Sequence, residues 1–208
     1  MRTTPEKTPQ TGSMLEEISK VAATLFFEKG YTQTTTREIA EGCGISVGTL
    51  YYYIQSKSDF LTVFCNIHTD DIDEWERAVR RRMHESSPEE TLKVAVWKLV
   101  YLIDKRREMV LFWYHTSKSM NAAHSKAIAR VQRRIAGQFR AIIEAGCEQG
   151  GFRTSDPLVN AINIHMLCNT WALQHWQLRN TYTVRQYAAR CQEMASSIVQ
   201  GCVSRDTV

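Results

Sequence analysis

Apolar residues recur at intervals of three and four along nearly the whole of this 208-residue chain, and no segment alternates convincingly with period two. Ile18, Val21, Ala22, Leu25 and Phe26 set the first stripe. Leu61, Phe64, Cys65, His68, Ile72, Trp75 and Val79 set a longer one, and Leu92, Val96, Leu99, Val100 and Ile103 follow. Ile128, Val131, Ile135, Phe139, Ile142 and Ile143 repeat the pattern near residue 140. That period gathers apolar side chains on one face of a helix. Turn residues agree with it. Ten glycines and four prolines are too few for the many tight turns of an all-β fold. The chain is therefore expected to be all-α, with about nine helices and no sheet.

Local signals divide the helices. Gly30 closes the first in the manner of a C-terminal glycine. Thr35 and Glu38 have the spacing of a capping box, Gly42-Cys43-Gly44 breaks the short helix that follows, and Ser46 caps a third. Ser87 and Glu90, with Pro88 between them, open another helix. Gly150-Gly151 ends one, Asp156-Pro157 starts the next, and Thr183 with Gln186 caps the last. The polar stretch 1–13, with Pro5 and Pro9, reads as a disordered lead. Residues 14–58 then form an N-terminal three-helix unit, 59–203 a larger helical domain, and 204–208 a tail.

Composition excludes more than it selects. A net charge of +4 and a pI near 8.7 suit a nucleic-acid partner without demanding one. The six cysteines, at 43, 65, 147, 168, 191 and 202, show no zinc-ligand spacing, so no metal site is expected. No signal peptide and no apolar run near ~20 residues is present, which reads as a cytoplasmic protein with reduced cysteines and no membrane partner. No G-x-S-x-G, P-loop, G-x-G-x-x-G or H-E-x-x-H occurs, so neither an enzyme nor a bound cofactor is expected. A pairing of His115 with Cys147 has no spacing to support it. A helical enzyme stays a remote alternative that turnover of an acyl-CoA would revive.

The segment Thr34–Lys57, TTTREIAEGCGISVGTLYYYIQSK, carries chemistry. A helix-turn-helix needs a bracing helix, a sharp turn, and a second helix whose first residues reach base edges. Ile39 and Ala40 supply the inward face of the first helix. Gly44 permits the turn and Ile45 plugs the angle. Ser46, Val47, Gly48 and Thr49 are small enough for close approach to a major groove, while Leu50 faces inward. Tyr51, Tyr52 and Tyr53 cannot all be buried, since successive helical positions point about 100° apart. Charge is the weak point. Residues 1–57 hold six basic and six acidic side chains. Phosphate contacts must then come largely from hydroxyls, backbone N–H groups and helix N-termini, with Arg37 and Lys57 as the cationic exceptions, and a shallow salt dependence is expected.

This run resembles the DNA-binding signature of the TetR family of transcriptional regulators, and the preceding AATLFFEKGYTQ matches that family's first helix and turn. The likeness covers roughly residues 14–65. It implies a bacterial, homodimeric repressor that binds a palindromic operator and responds to a small molecule. It places Thr35, Thr36 and Arg37 at the start of the bracing helix, with Arg37 within reach of a guanine edge. It places Ser46, Val47, Gly48 and Thr49 at the base-facing start of the recognition helix. Tyr51 and Tyr53 then lie toward phosphates, and Lys57 on a phosphate at the start of the next helix; Tyr52 is a further candidate for DNA contact. Tyr53 stands where histidine is common and Ile54 where phenylalanine is common.

For the larger half the resemblance implies a ligand-binding and dimerisation domain. The last two long helices, Asp156 to Trp176 and Thr183 to Gly201, would form a four-helix contact through Ile162, His165, Leu173, Trp176, Tyr187, Cys191, Met194 and Ile198. The SKSM at 117–120, the EQGGFRTSDP at 148–157 and the spacing of Met166, Asn169 and Trp176 resemble an acyl-CoA-responsive subgroup of the family. Candidate ligand contacts are Trp97, Tyr101, Phe112, Trp113, His115, Met120, Phe139, Ile143, Asn163, Met166 and Asn169. Arginines at 80–82, 106–107 and 133–134 are candidates for CoA phosphates. Plainer readings stand beside these: an aromatic stripe as core, a histidine satisfied in the core or dimer seam, arginines as a solvated face. A regulator controlled by a protein partner rather than a metabolite is the alternative function.

Overall fold

The computed structural model describes residues 9–116 and 122–200. Met120, residues 1–8, Gly201 and the tail 204–208 lie outside the described residues. Among those described there are ten helices and no strand. They are α1 (Pro9–Lys29), α2 (Thr36–Gly42), α3 (Val47–Tyr53), α4 (Asp59–Glu85), α5 (Pro88–Lys105), α6 (Arg107–Thr116), α7 (Ala122–Glu148), α8 (Pro157–Leu173), α9 (His175–Leu178) and α10 (Val184–Gln200). The helix beyond the expected nine is the single turn α9. One expectation is corrected at the start. α1 begins at Pro9, inside the stretch read as disordered; a proline in the first turn lacks an N–H that would have no helical partner there anyway.

The chain divides into two compact units. The first is formed by the chain up to Ile67 together with Glu108–Ser125. Its core is a cluster of rings. Phe26 lies 5.7 Å from Phe60 and 5.6 Å from Phe112, and Phe64 lies 5.6 Å from Phe112 and 6.1 Å from Trp113. Phe26, Phe60, Phe64, Phe112 and Trp113 are all buried. The expected boundary at residue 58 therefore does not coincide with the compact unit: the first residues of α4 and nearly all of α6 supply its hydrophobic centre.

The second unit comprises His68–Arg107 and the chain from Lys126 on. Here α5 packs against α8 and α10. Leu92, Val96, Leu99 and Val100 meet Ile164, Cys168, Cys191 and Ala195 in a core with almost no exposed surface. Trp171 stacks on Tyr187 at 5.1 Å, and Trp75 sets its ring 5.5 Å from Phe139 of α7. Both indoles find acceptors, Trp75 Nε1 donating to the Ala95 carbonyl (3.0 Å) and Trp171 Nε1 to Asp104 (2.7 Å). Caps act as their sequences suggest: Ser87 and Asp156 accept from the Glu90 and Val159 amides, with Pro88 and Pro157 in the first turns. Thr183 and Gln186 exchange bonds ahead of α10. At the end of α7, Gly146 is obligatory by contact, since a Cβ there would fall 2.0 Å from the Phe152 ring.

Candidate functional site

Two places in the molecule are built for contact. The first is the α2–α3 pair. Thr35 caps α2 by a complete capping box: its amide donates to Glu38 Oε2 (2.8 Å) and its hydroxyl accepts from the Glu38 amide (3.2 Å). The Lys29 ammonium, 2.7 Å from Glu38, together with these bonds holds the Glu38 carboxyl down at about 2. Ile39 and Ala40 are fully buried. Gly42 packs so tightly that a Cβ would lie 2.7 Å from Val21, and Gly44 turns the chain at φ +65°, where side-chain-bearing residues are strained. The Ile45 amide then donates back to the Ala40 carbonyl at 3.0 Å, closing the turn.

α3 follows with its cap and its surface already arranged. Ser46 Oγ accepts from the Thr49 amide (3.0 Å) and shares a 2.8 Å bond with the Thr49 hydroxyl. Leu50 is buried completely and anchors the helix. Ser46, Val47, Gly48 and Thr49 are exposed, as are Tyr51 and Tyr52 at 47% and 65%, while Tyr53 is half-buried with its ring edge-on to Tyr52 at 5.3 Å. The Tyr51 hydroxyl lies 3.3 Å from Thr36 Oγ1 and bridges the two helices. Arg37 is exposed and pairs with Glu41 one turn on (3.2 Å). Lys57 is engaged within the chain. Its ammonium donates to the Thr32 carbonyl (3.0 Å) and sits 4.7 Å above the Tyr31 ring, so it braces the loop after α1. Partial burial lowers its pKa, against the pull of Glu38.

The second place is a groove of about 810 Å³ within the second unit, walled by α4 and α5 and edged by Gln192 of α10. Of the residues expected to hold a ligand, Trp97 and Tyr101 line it. The others are not brought together with them. Phe112 and Trp113 belong to the ring core of the first unit, and His115 lies exposed beside Phe27 at 5.4 Å. Phe139, Ile143 and Asn169 are buried, whereas Asn163 and Met166 are exposed on α8. Sequence reading missed Glu74, Trp75, Lys98 and Lys105 in the lining. Their spacing of three and four with Trp97 and Tyr101 on α5, and with Ala78 on α4, was the available signal.

Four of the clustered arginines, Arg80, Arg106, Arg107 and Arg134, have partners within the protein. Arg106 grips Asp71 with two bonds (2.6 and 3.2 Å), Arg134 holds Glu76 (3.0 Å) and Asp73, Arg80 reaches Gln138 (3.3 Å), and Arg107 lies 2.7 Å from His175. These four staple helices, which makes them poor candidates for phosphates, whereas Arg81 and Arg133 are exposed. Near them, burial lowers His165 to about 4, with His68 adding to the effect. Burial brings His68 to about 4 as well, against the pull of Asp71. Of the residues expected in a dimer seam, Ile162, Trp176 and Met194 are exposed and Leu173 and Ile198 half-buried. Tyr187, Cys191 and His165 are instead interior: the Tyr187 hydroxyl donates to the Leu167 carbonyl at 2.8 Å within the same unit. No helix among the described residues is long and apolar enough to cross a membrane.

Comparison with known proteins matches two stretches of the chain. Residues 18–62 fit the family model described as bacterial regulatory proteins, tetR family, and residues 85–199 fit that of the tetracyclin repressor-like C-terminal domain. The HTH-type transcriptional regulator HbdR of Aromatoleum sp. (strain CIB) is 28% identical over 179 residues, 82% of this chain and 74% of its own. A crystal structure of a tetR-family regulatory protein from Rhodococcus RHA1 superposes with a TM-score of 0.74 at 27% identity, covering 89% of this chain and 96% of that one. AibR, solved in complex with isovaleryl coenzyme A and operator DNA, superposes with a TM-score of 0.68 at 22% identity, over 87% of this chain and 97% of its own. At that identity the likeness concerns the fold.

Proposed function

The chain belongs to the TetR family of DNA-binding transcriptional regulators, and from that premise we propose that it is a dimeric repressor released from a palindromic operator by a small hydrophobic or acyl-CoA-type effector. The observation that carries the DNA reading is the first turn of α3. Ser46 to Thr49 are small and exposed, Leu50 is the buried side chain within the helix, and Gly44 sets its direction. Such a tip enters a major groove with its N-terminal residues, as a recognition helix does. Thr35, Thr36, Arg37 and the exposed tyrosines flank it for phosphates and for one guanine edge. Two copies would meet through the outer faces of α8 and α10, where Leu158, Val159, Ile162, Met166 and Met194 leave apolar surface exposed. A twofold pair would address major grooves ~34–36 Å apart.

The effector reading is supported by the groove, whose volume lies within the ~300–1,000 Å³ of small-molecule sites. That argues against control by a protein partner. AibR lends the acyl-CoA class by analogy. Binding would act by population shift, favouring a spacing of recognition helices that misses successive grooves. The test is a mobility shift on the DNA flanking the protein's own gene, with and without a panel of acyl-CoA thioesters. The expected result is a dimer on a palindrome, dissociated by at least one thioester. A monomer indifferent to that DNA would overturn the reading.

A further inference from the structure

The two acids of α2 have different occupations. Glu38 closes the capping box with Thr35 and pairs with Lys29 at 2.7 Å. Glu41 has one partner: its Oε1 accepts from Arg37 Nε at 3.2 Å, and neither side chain has another hydrogen bond or ion pair among the described residues. Both stand open to solvent, Arg37 at 82% and Glu41 at 66% exposure. An ion pair so placed adds almost nothing to stability. An acid beside the recognition helix also opposes the approach of phosphates, since like charges set side by side are penalised. What Glu41 does in this structure, it does to Arg37.

Which N–H is engaged decides what remains. The arginine fork carries five N–H groups in one plane. The bond to Glu41 uses the Nε–H and leaves the end formed by Nη1 and Nη2, two donors spaced for guanine O6 and N7. It also fixes the plane of a long, flexible side chain before contact, which lowers the cost of ordering it on DNA. The neighbouring Thr36 hydroxyl lies 3.3 Å from the Tyr51 hydroxyl, so the turn that carries Arg37 is tied to α3. We infer that Glu41 is a positioning residue for sequence recognition. It holds the Arg37 guanidinium with the Nη1–Nη2 edge presented outward, and so sets a preference for guanine at one position in each half-site, touching no base itself. The inference deepens the DNA-binding reading and rests on Arg37 meeting a base edge.

The experiment selects bound duplexes from a pool of random sequence, using the full chain and its Glu41→Ala, Glu41→Gln and Arg37→Ala variants. Alanine suits an exposed helical position, and melting temperatures equal to the parent's are the control. The parent is expected to enrich a palindrome with guanine favoured about tenfold at one position per half-site. Glu41→Ala should cut that preference to about threefold or less, with the other positions and the half-site spacing kept. It should also bind unrelated duplex more tightly, because an acid has left the surface; a variant merely damaged in structure would lose both. Glu41→Gln, whose amide oxygen accepts the same Nε–H, should regain most of the preference. The inference is overturned if Glu41→Ala keeps the guanine preference, if Glu41→Gln does no better than Glu41→Ala, or if the position altered is one that Arg37→Ala leaves alone. A palindrome whose preferences Arg37→Ala does not change removes the inference and leaves the DNA-binding reading standing. A parent that enriches no sequence removes both.

Discussion

The α2–α3 tip and the α4–α5 groove are assembled in opposite ways. At the tip, every working side chain comes from one run of 24 residues, lies at the surface, and is positioned by short-range bonds: Thr35 with Glu38, Ser46 with Thr49, Thr36 with Tyr51. At the groove, residues from α4, α5 and α10 meet across more than a hundred positions of chain, and Gln192 is tied to the Lys93 carbonyl at 2.8 Å. The first is a local device that rides on a few buried anchors. The second exists only once helices distant in sequence have packed. A local device should fail when its anchor is cut; a packed one should fail when the ties between its walls are cut.

The largest effect is expected at the anchor. Leu50→Ala removes a side chain with no exposed surface and should cost about 2–5 kcal/mol of unfolding free energy. Specific DNA binding should go with it, while any effector binding in the second unit is kept. If urea unfolding of the variant matches the parent, α3 does not depend on that anchor. Next comes the tie behind the groove. Arg106→Met strands Asp71 at 13% exposure, and should destabilise by about 3 kcal/mol; changing both residues to apolar ones should recover most of it. A single variant as stable as the parent would show the pair to be ornamental.

Acid should separate the units further. His165 is interior and its pKa is lowered to about 4, so the unfolded chain takes up the proton first. Stability is then whole above the ordinary histidine pKa near 6.5 and declines as pH falls from there through about 4. The loss should approach about 2–3 kcal/mol at the lower end, read from urea midpoints at pH 7 and pH 4.5. His165→Gln should remove its share of that decline and leave the part due to His68, which burial also lowers to about 4, and an unchanged slope would remove His165 from the account. The smallest change is at the tip's surface. Arg37→Ala should weaken specific DNA by about 1–3 kcal/mol in a mobility shift and leave the unfolding midpoint in place. Unchanged specific binding would mean that Arg37 reads no base.

The same contrast explains what could be read from the chain. Caps and turns announce themselves in four to six residues, so Thr35, Gly44, Ser46, Ser87 and Asp156 could be placed before any packing was known. The all-helical period was equally plain. Aromatic residues were harder, because a stripe at helical spacing names a buried face without naming its partner. Phe112 and Trp113 were read toward a ligand, yet their partners are Phe26 and Phe64, far away in sequence. Lys57 matched a motif position, and its geometry gave it to Thr32 and Tyr31. Tyr187 and Cys191 share a helix with the exposed Met194, and only the packing of α5, α8 and α10 decides which side looks out.

The bridge between Tyr51 and Thr36 has one more consequence. With the reading helix already tied to its brace, little is left to freeze when a duplex is met, and little can be adjusted to suit it. A rigid tip leaves accommodation to the DNA. Sequences whose groove width or bending stiffness does not fit such a wedge would then be rejected at base steps that no side chain touches.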